Sequence, residues 1–209
     1  MSHYLKRLYA APVIAGAITV AAAGTALALD ITGTDGPDRI IGSRSVDTIR
    51  AGGGPDRVFA LAGDDSVEGG EGGDRIHGGR GDDSIAGGEG DDRIIAGWGD
   101  DTVDAGPGFD RVRGRRGNDS ISGGEGFDVL HGGRGQDTLS GGPGNDRLFS
   151  NWRADPATDT LNGDEGDDRI VTRDGTRDVV TCGPGIDRVR ADQMDSVAAD
   201  CETVSVRTR

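Results

Sequence analysis

Seventeen aspartates, each the sixth residue of a nine-residue unit, are the side chains of this sequence best placed to do chemistry. From Gly33 to Phe149 the chain divides into thirteen consecutive units without a gap. A four-residue insertion, Ser150 to Arg153, precedes units at 154–162 and 163–171, and a single extra Thr172 precedes units at 173–181 and 182–190. Position six is Asp and position eight aliphatic in all of them, and position four is Gly in fourteen. The clearest run reads GGEGGDRIH, GGRGDDSIA, GGEGDDRII, AGWGDDTVD. A carboxylate beside a glycine turn with converging carbonyls offers oxygen ligands without nitrogen or sulfur. That is the donor set of a hard cation such as Ca2+, which accepts about six to eight oxygens in tolerant geometry where Mg2+ demands a stricter one. The plain alternative is that these aspartates cap turns. Stacking a carboxylate every ~4.8 Å, however, accumulates repulsion that capping does not relieve.

Glycine at position four starts each unit with a tight turn and leaves the last three residues for a short strand. One aliphatic residue in nine cannot make a helical stripe, but it can make an inward ladder if successive strands stack. Position seven alternates between Arg39, Arg57, Arg75, Arg93 and Arg111 in odd units and Thr48, Ser66, Ser84, Thr102 and Ser120 in even ones, so the true period is eighteen. Two units then form one coil, with an arginine ladder on one parallel sheet and a Ser/Thr ladder on the other. About eight and a half coils predict a rod on the order of 40 Å long before its ends are added. Residues 29–32 are expected to be a leading strand, 33–190 the repeats and 191–209 a C-terminal cap.

Composition bounds what such a chain can be. Aromatic content of 4% and 39 glycines are poor material for a globular core, and 37 acidic against 23 basic residues leave a net charge of -14. That balance excludes attraction to nucleic acid or anionic lipid as a primary role and calls for something that neutralises the acids. Lys6 and Arg7 ahead of an apolar run from Leu8 to Ala23, with Ala26-Leu27-Ala28 at its end, predict a cleavable export signal over 1–28, the competing reading being a retained membrane anchor. Removing Lys6 and Arg7 takes the charge from -14 to -16, and no later segment is apolar enough to span a membrane. Cys182 and Cys201 are expected to form a disulfide in an exported chain; a two-cysteine metal site would need nearby partners, and His3, His77 and His131 are remote in sequence.

The unit resembles the nonapeptide G-G-x-G-x-D-x-U-x, with U aliphatic, of the repeats-in-toxin (RTX) or haemolysin-type calcium-binding family, over residues 33–190. The resemblance implies an all-β, right-handed parallel β-roll, a β-solenoid with two nine-residue repeats per coil. It also implies calcium ions held between position-six aspartates one coil apart. One side pairs Asp74, Asp92, Asp110, Asp128 and Asp146 in succession and the other Asp83, Asp101, Asp119 and Asp137, giving seven sites in the uninterrupted middle, with Asp56, Asp168 and Asp187 as further candidate ligands. Units GSRSVDTIR and ADPATDTLN lack the turn glycine and RDGTRDVVT has its glycines displaced, so their ion sites are not expected to be complete.

The expected function is a secreted calcium-binding repeat protein that folds on ion binding. It is not expected to be an enzyme, since no histidine-centred constellation or nucleophile motif accompanies the repeats. The alternatives are a cell-envelope adhesin recognising polysaccharide and an accessory fragment of a toxin or secreted enzyme. The position-five acids Asp64, Asp82, Asp91, Asp100 and Asp167 are read as solvent-facing. The arginine ladder could meet an anionic polymer or pair with Glu71, Glu89, Glu125 and Glu165 of position three, and Trp98 and Trp152 could stack on sugar.

Overall fold

A computed structural model describes residues 17–19, 28–150 and 156–207. Its regular structure is entirely β-strand in two parallel sheets, one of 11 and one of 10 strands among the described residues, and the chain alternates between them at every strand. This is a parallel β-roll with two nine-residue units per coil. Pairing joins residues eighteen apart, as in Arg57↔Arg75, Val58↔Ile76 and Phe59↔His77. The period of the sequence is therefore the circumference of the solenoid. One sheet carries the arginines of position seven and the other its serines and threonines.

Position eight fills the interior. From Ile31 and Ile40 through Val180 and Val189 these side chains are 2% exposed or less, and the small residues Ala51, Ala60, Ala96 and Ala105 of position one lie beside them. Each unit thus orders nine residues around one aliphatic and one small side chain, a thin core for a chain of this size.

The extra residues leave the ladders in register. Thr138 pairs with Thr160 and Arg147 with Arg169 across the longer insertion, and Thr160 pairs with Val179 across the shorter. Ser150 and Thr172 are buried, continuing the column of position one.

Several strands in the first part of the roll are longer than the three residues expected, whereas those from Thr138–Ser140 to Val179–Thr181 keep three. Arg75–Arg80, Ser84–Glu89 and Arg93–Trp98 each run six residues, from position seven of one unit to position three of the next. Thr102–Asp104 and Thr138–Ser140 stop at three, where the continuation meets Pro107 and Pro143, which have no N–H to donate. Position three therefore belongs to the sheet of the preceding unit. This overturns the expected ion pairing of the arginine ladder. Glu71 and Glu89 end strands of the hydroxyl sheet, and among the described residues none of Glu71, Glu89, Glu125 or Glu165 pairs with a position-seven arginine.

At the ends, Asp30–Thr32 pairs with the strand containing Thr48–Arg50, Ser196–Val197 pairs with Val179–Val180, and Thr203–Arg207 pairs with Arg188–Asp192. Cys182 and Cys201 form a disulfide, with Cα atoms 5.3 Å apart. The expected export signal lies outside the described residues apart from Ala17–Thr19, which pair with Arg39–Ile41, and Ala28. Trp152 also lies outside them. No helix among the described residues is long and apolar enough to cross a membrane.

Candidate metal centres

Each position-six aspartate ends the turn and points into the roll just before the strand begins. Asp56, Asp74, Asp83, Asp92, Asp101, Asp110, Asp119, Asp128, Asp137, Asp146, Asp168 and Asp187 are each 2% exposed or less. Coil stacking aligns them in two columns. In one, the backbone N–H of Asp74 donates to Asp92 Oδ1 at 2.7 Å, that of Asp92 to Asp110 at 2.7 Å, that of Asp110 to Asp128 at 2.8 Å and that of Asp128 to Asp146 at 2.8 Å. Asp56 precedes this column, and Asp168 and Asp187 continue it. In the other, Asp83 N–H donates to Asp101 at 2.8 Å, Asp101 to Asp119 at 3.0 Å and Asp119 to Asp137 at 2.9 Å.

One carboxylate oxygen is thereby used and the other is not. Oδ2 of Asp56, Asp74, Asp83, Asp92, Asp101, Asp110, Asp119, Asp128, Asp146, Asp168 and Asp187 is buried without a hydrogen-bond donor. A buried carboxylate oxygen without a partner is costly, and burial is the main reason these groups resist ionisation. It pushes Asp92, Asp101, Asp110 and Asp146 up to about 7 and Asp56, Asp83, Asp119, Asp128 and Asp168 to about 6 from 3.8, against the lowering effect of the accepted backbone hydrogen bond. Neighbouring aspartates raise several further, as Asp74 and Asp110 do for Asp92. Asp74 and Asp187 are raised by burial too.

The first two units supply a contrast inside the same molecule. Where position two is a hydroxyl residue, it donates to Oδ2 of the aspartate of its own turn: Thr34 through N–H and Oγ1 to Asp38 Oδ2 at 2.7 and 2.8 Å, and Ser43 N–H to Asp47 Oδ2 at 2.5 Å, which leaves only Oδ1 of Asp38, at the head of its column, without a partner. Where position two is glycine, as at Gly70 and Gly88, there is no hydroxyl and no bond reaches Oδ2 of Asp74 or Asp92. An all-oxygen donor set with repeated unpartnered carboxylate oxygens fits a divalent hard cation and does not fit a turn cap.

Glycines at position two share the backbone constraint of those at position four. Gly70, Gly79 and Gly88 at position two and Gly72, Gly81 and Gly90 at position four all have positive φ. At Gly72, φ is 118° and an added Cβ would lie 2.7 Å from both the carbonyl carbon and oxygen of Gly54 one coil away. The non-glycine residues with positive φ among the described ones, Leu61, Arg115 and Asp164, all stand at position two.

Some ligand-type residues fall outside the expected pairs, Asp178 among them, with the same buried, unpartnered Oδ2 and raised by burial to about 7. Asp65 has the same buried, unpartnered Oδ2 and is raised to about 7 by burial; its unit, ALAGDDSVE, keeps the turn glycine that could have flagged it. Glu202 accepts the Asp187 N–H at 2.7 Å, taking the place of a further position-six aspartate beyond the repeats. The position-five acids are engaged by the backbone of the next coil: Asp82 N–H donates to Asp64 Oδ1 at 2.9 Å and Asp100 N–H to Asp82 Oδ1 at 2.8 Å.

The fold and these columns define a calcium-type β-roll. Consistent with that class, the chain matches the RTX calcium-binding nonapeptide repeat (4 copies) over residues 32–67, 50–85, 68–103, 77–112, 95–130, 113–148 and 154–189, and it belongs to that family. It is a calcium-binding repeat protein by family and architecture. No curated protein matches it.

Proposed function

We propose that the chain is exported and that calcium binding and folding of its roll are one equilibrium. The carrying observation is the column of buried Oδ2 atoms without donors. The residues that would hold the ions are Asp56, Asp74, Asp83, Asp92, Asp101, Asp110, Asp119, Asp128, Asp137, Asp146, Asp168 and Asp187, with turn carbonyls completing each set. Calcium, when bound, supplies positive charge and an oxygen-coordinated link between successive coils. The chain's own parts do the rest. Glycines at positions two and four bring adjacent turns into contact, and each Oδ1 holds the amide of the preceding coil. Position eight then closes a dry ladder once the carboxylates are neutralised. Metal affinity in such a system is folding free energy.

Export is supported by the basic and apolar composition of 1–28 and by the Cys182–Cys201 disulfide, which suits an oxidising compartment. Far-UV circular dichroism during a calcium titration tests the coupling. Strand signal should appear with calcium and vanish with chelator; a signal indifferent to both would remove it.

A further inference from the structure

The roll sorts its charges by face. From Arg39–Ile41 to Arg169–Val171 the arginine-sheet strands contain no acid, whereas in the hydroxyl sheet the only basic residue from Asp30–Thr32 to Val179–Thr181 is Arg50. Arg39, Arg57, Arg75, Arg93 and Arg111 stand directly opposite one another in register and are exposed. Like charges facing across adjacent strands destabilise a sheet. Among the described residues the ion pairs are those of Arg50 with Asp30 and Glu68, so none of these arginines is held in an ion pair. The same positive field bears on the histidines of the face: beyond the effect of burial, Arg115 and Arg93 hold His77 below its usual range, and Arg113 does so for His131.

We propose that the arginine face docks a linear polysaccharide carrying a carboxylate on each sugar, lying along the rod axis. The inference rests on the folded, calcium-loaded roll. Guanidinium forks match carboxylates bidentately, and they recur here once per coil, ~4.8 Å apart, a rise comparable with one pyranose of an extended chain.

Other occupants fit less well. Single-stranded nucleic acid needs open aromatic faces. Those of Trp98 are covered by Arg80 and Arg116 at 4.7 and 4.9 Å, and Phe59 with His77 and His131 with Phe149 stack on each other. A second copy would offer its position-three acids, but Gly53, Pro107 and Pro143 interrupt that column.

The test is affinity for short oligogalacturonates in millimolar calcium, measured by calorimetry on the purified chain and on its R57S/R75S/R93S variant. Serine is the residue that the hydroxyl sheet carries at the same position, in Ser66 and Ser84, so the variant should keep the strand signal. Binding should weaken about tenfold, roughly twofold per exposed pair removed, with R57K/R75K/R93K intermediate and the methyl-esterified oligomer inert. Unchanged binding by the serine variant, equal binding of the neutral ester, or tighter binding of oligodeoxythymidine or phosphatidylglycerol vesicles would overturn it. Self-association in ultracentrifugation that the serine substitutions abolish would assign the face to a second copy instead. Strand signal in calcium without oligogalacturonate binding refutes this inference alone; no strand signal in calcium refutes the folding proposal beneath it.

Discussion

Replacing Asp110 by Asn separates ion ligation from turn capping, because asparagine caps turns as well as aspartate does. Asp110 Oδ1 accepts the Asp92 N–H at 2.7 Å, and the Asp110 N–H donates to Asp128 at 2.8 Å, so the substitution can keep both bonds. What changes is Oδ2, buried without a donor, whose place would be taken by an amide NH2 that cannot face a cation. Asp110 is shared by the proposed sites above and below it, so two of the seven sites in the middle of the roll should fail. At a hundredfold excess of calcium over its dissociation constant each site contributes about 2.7 kcal/mol, so the variant should lose about 5 kcal/mol of calcium-dependent stability. Urea unfolding in saturating calcium reads the stability, and calorimetry the drop of two ions per chain. Unchanged stoichiometry and an unchanged urea midpoint would refute the reasoning and leave the aspartates as turn caps.

The acids raised by burial fix a pH dependence for the ion-free chain. Their contribution to folding is fully present below 3.8 and is lost as pH rises through about 6 to 7, so strand signal in calcium-free buffer should grow on acidification from about pH 8 to 4.5, whereas apparent calcium affinity should climb as pH rises through about 6 to 7, because calcium competes with protons for the same carboxylates; flat profiles would contradict it. Leu61→Gly relieves a φ of 88° at position two and should stabilise the calcium-loaded roll by about 1 kcal/mol in urea titrations, whereas Gly72→Ala should destabilise it by about 2 kcal/mol. The Cys182→Ser/Cys201→Ser variant opens a loop of sequence separation 19 and should lose about 3 kcal/mol, with hydrogen exchange accelerated in the strands nearest the C-terminus rather than near Asp74.

Much of this was legible because a solenoid converts sequence period into spatial neighbourhood. The eighteen-residue alternation of Arg57 and Arg75 with Ser66 and Ser84 gave the coil, both sheets and the columns of aspartates, since residues one period apart must stack. The invariant aliphatic at position eight gave the core. What escaped depends on where the backbone bends rather than on how often a residue recurs. Strands that run on into the next unit place Glu71 on the opposite sheet from Arg57 and Arg75, which no spacing rule reveals. The local donation of Thr34 and Ser43 to Oδ2 of Asp38 and Asp47 likewise needs the turn geometry, although the hydroxyl at position two was its visible mark. The arginine–aromatic contacts around Trp98 arise from position three lying in the arginine sheet, again a consequence of strand length.

Equilibrium dialysis of the purified chain against millimolar calcium tests the central claim most directly. Uptake of several ions per chain, close to the seven proposed for the middle of the roll, is the predicted result. No uptake at that concentration would contradict it, leaving the buried Oδ2 atoms without the partner that justifies them.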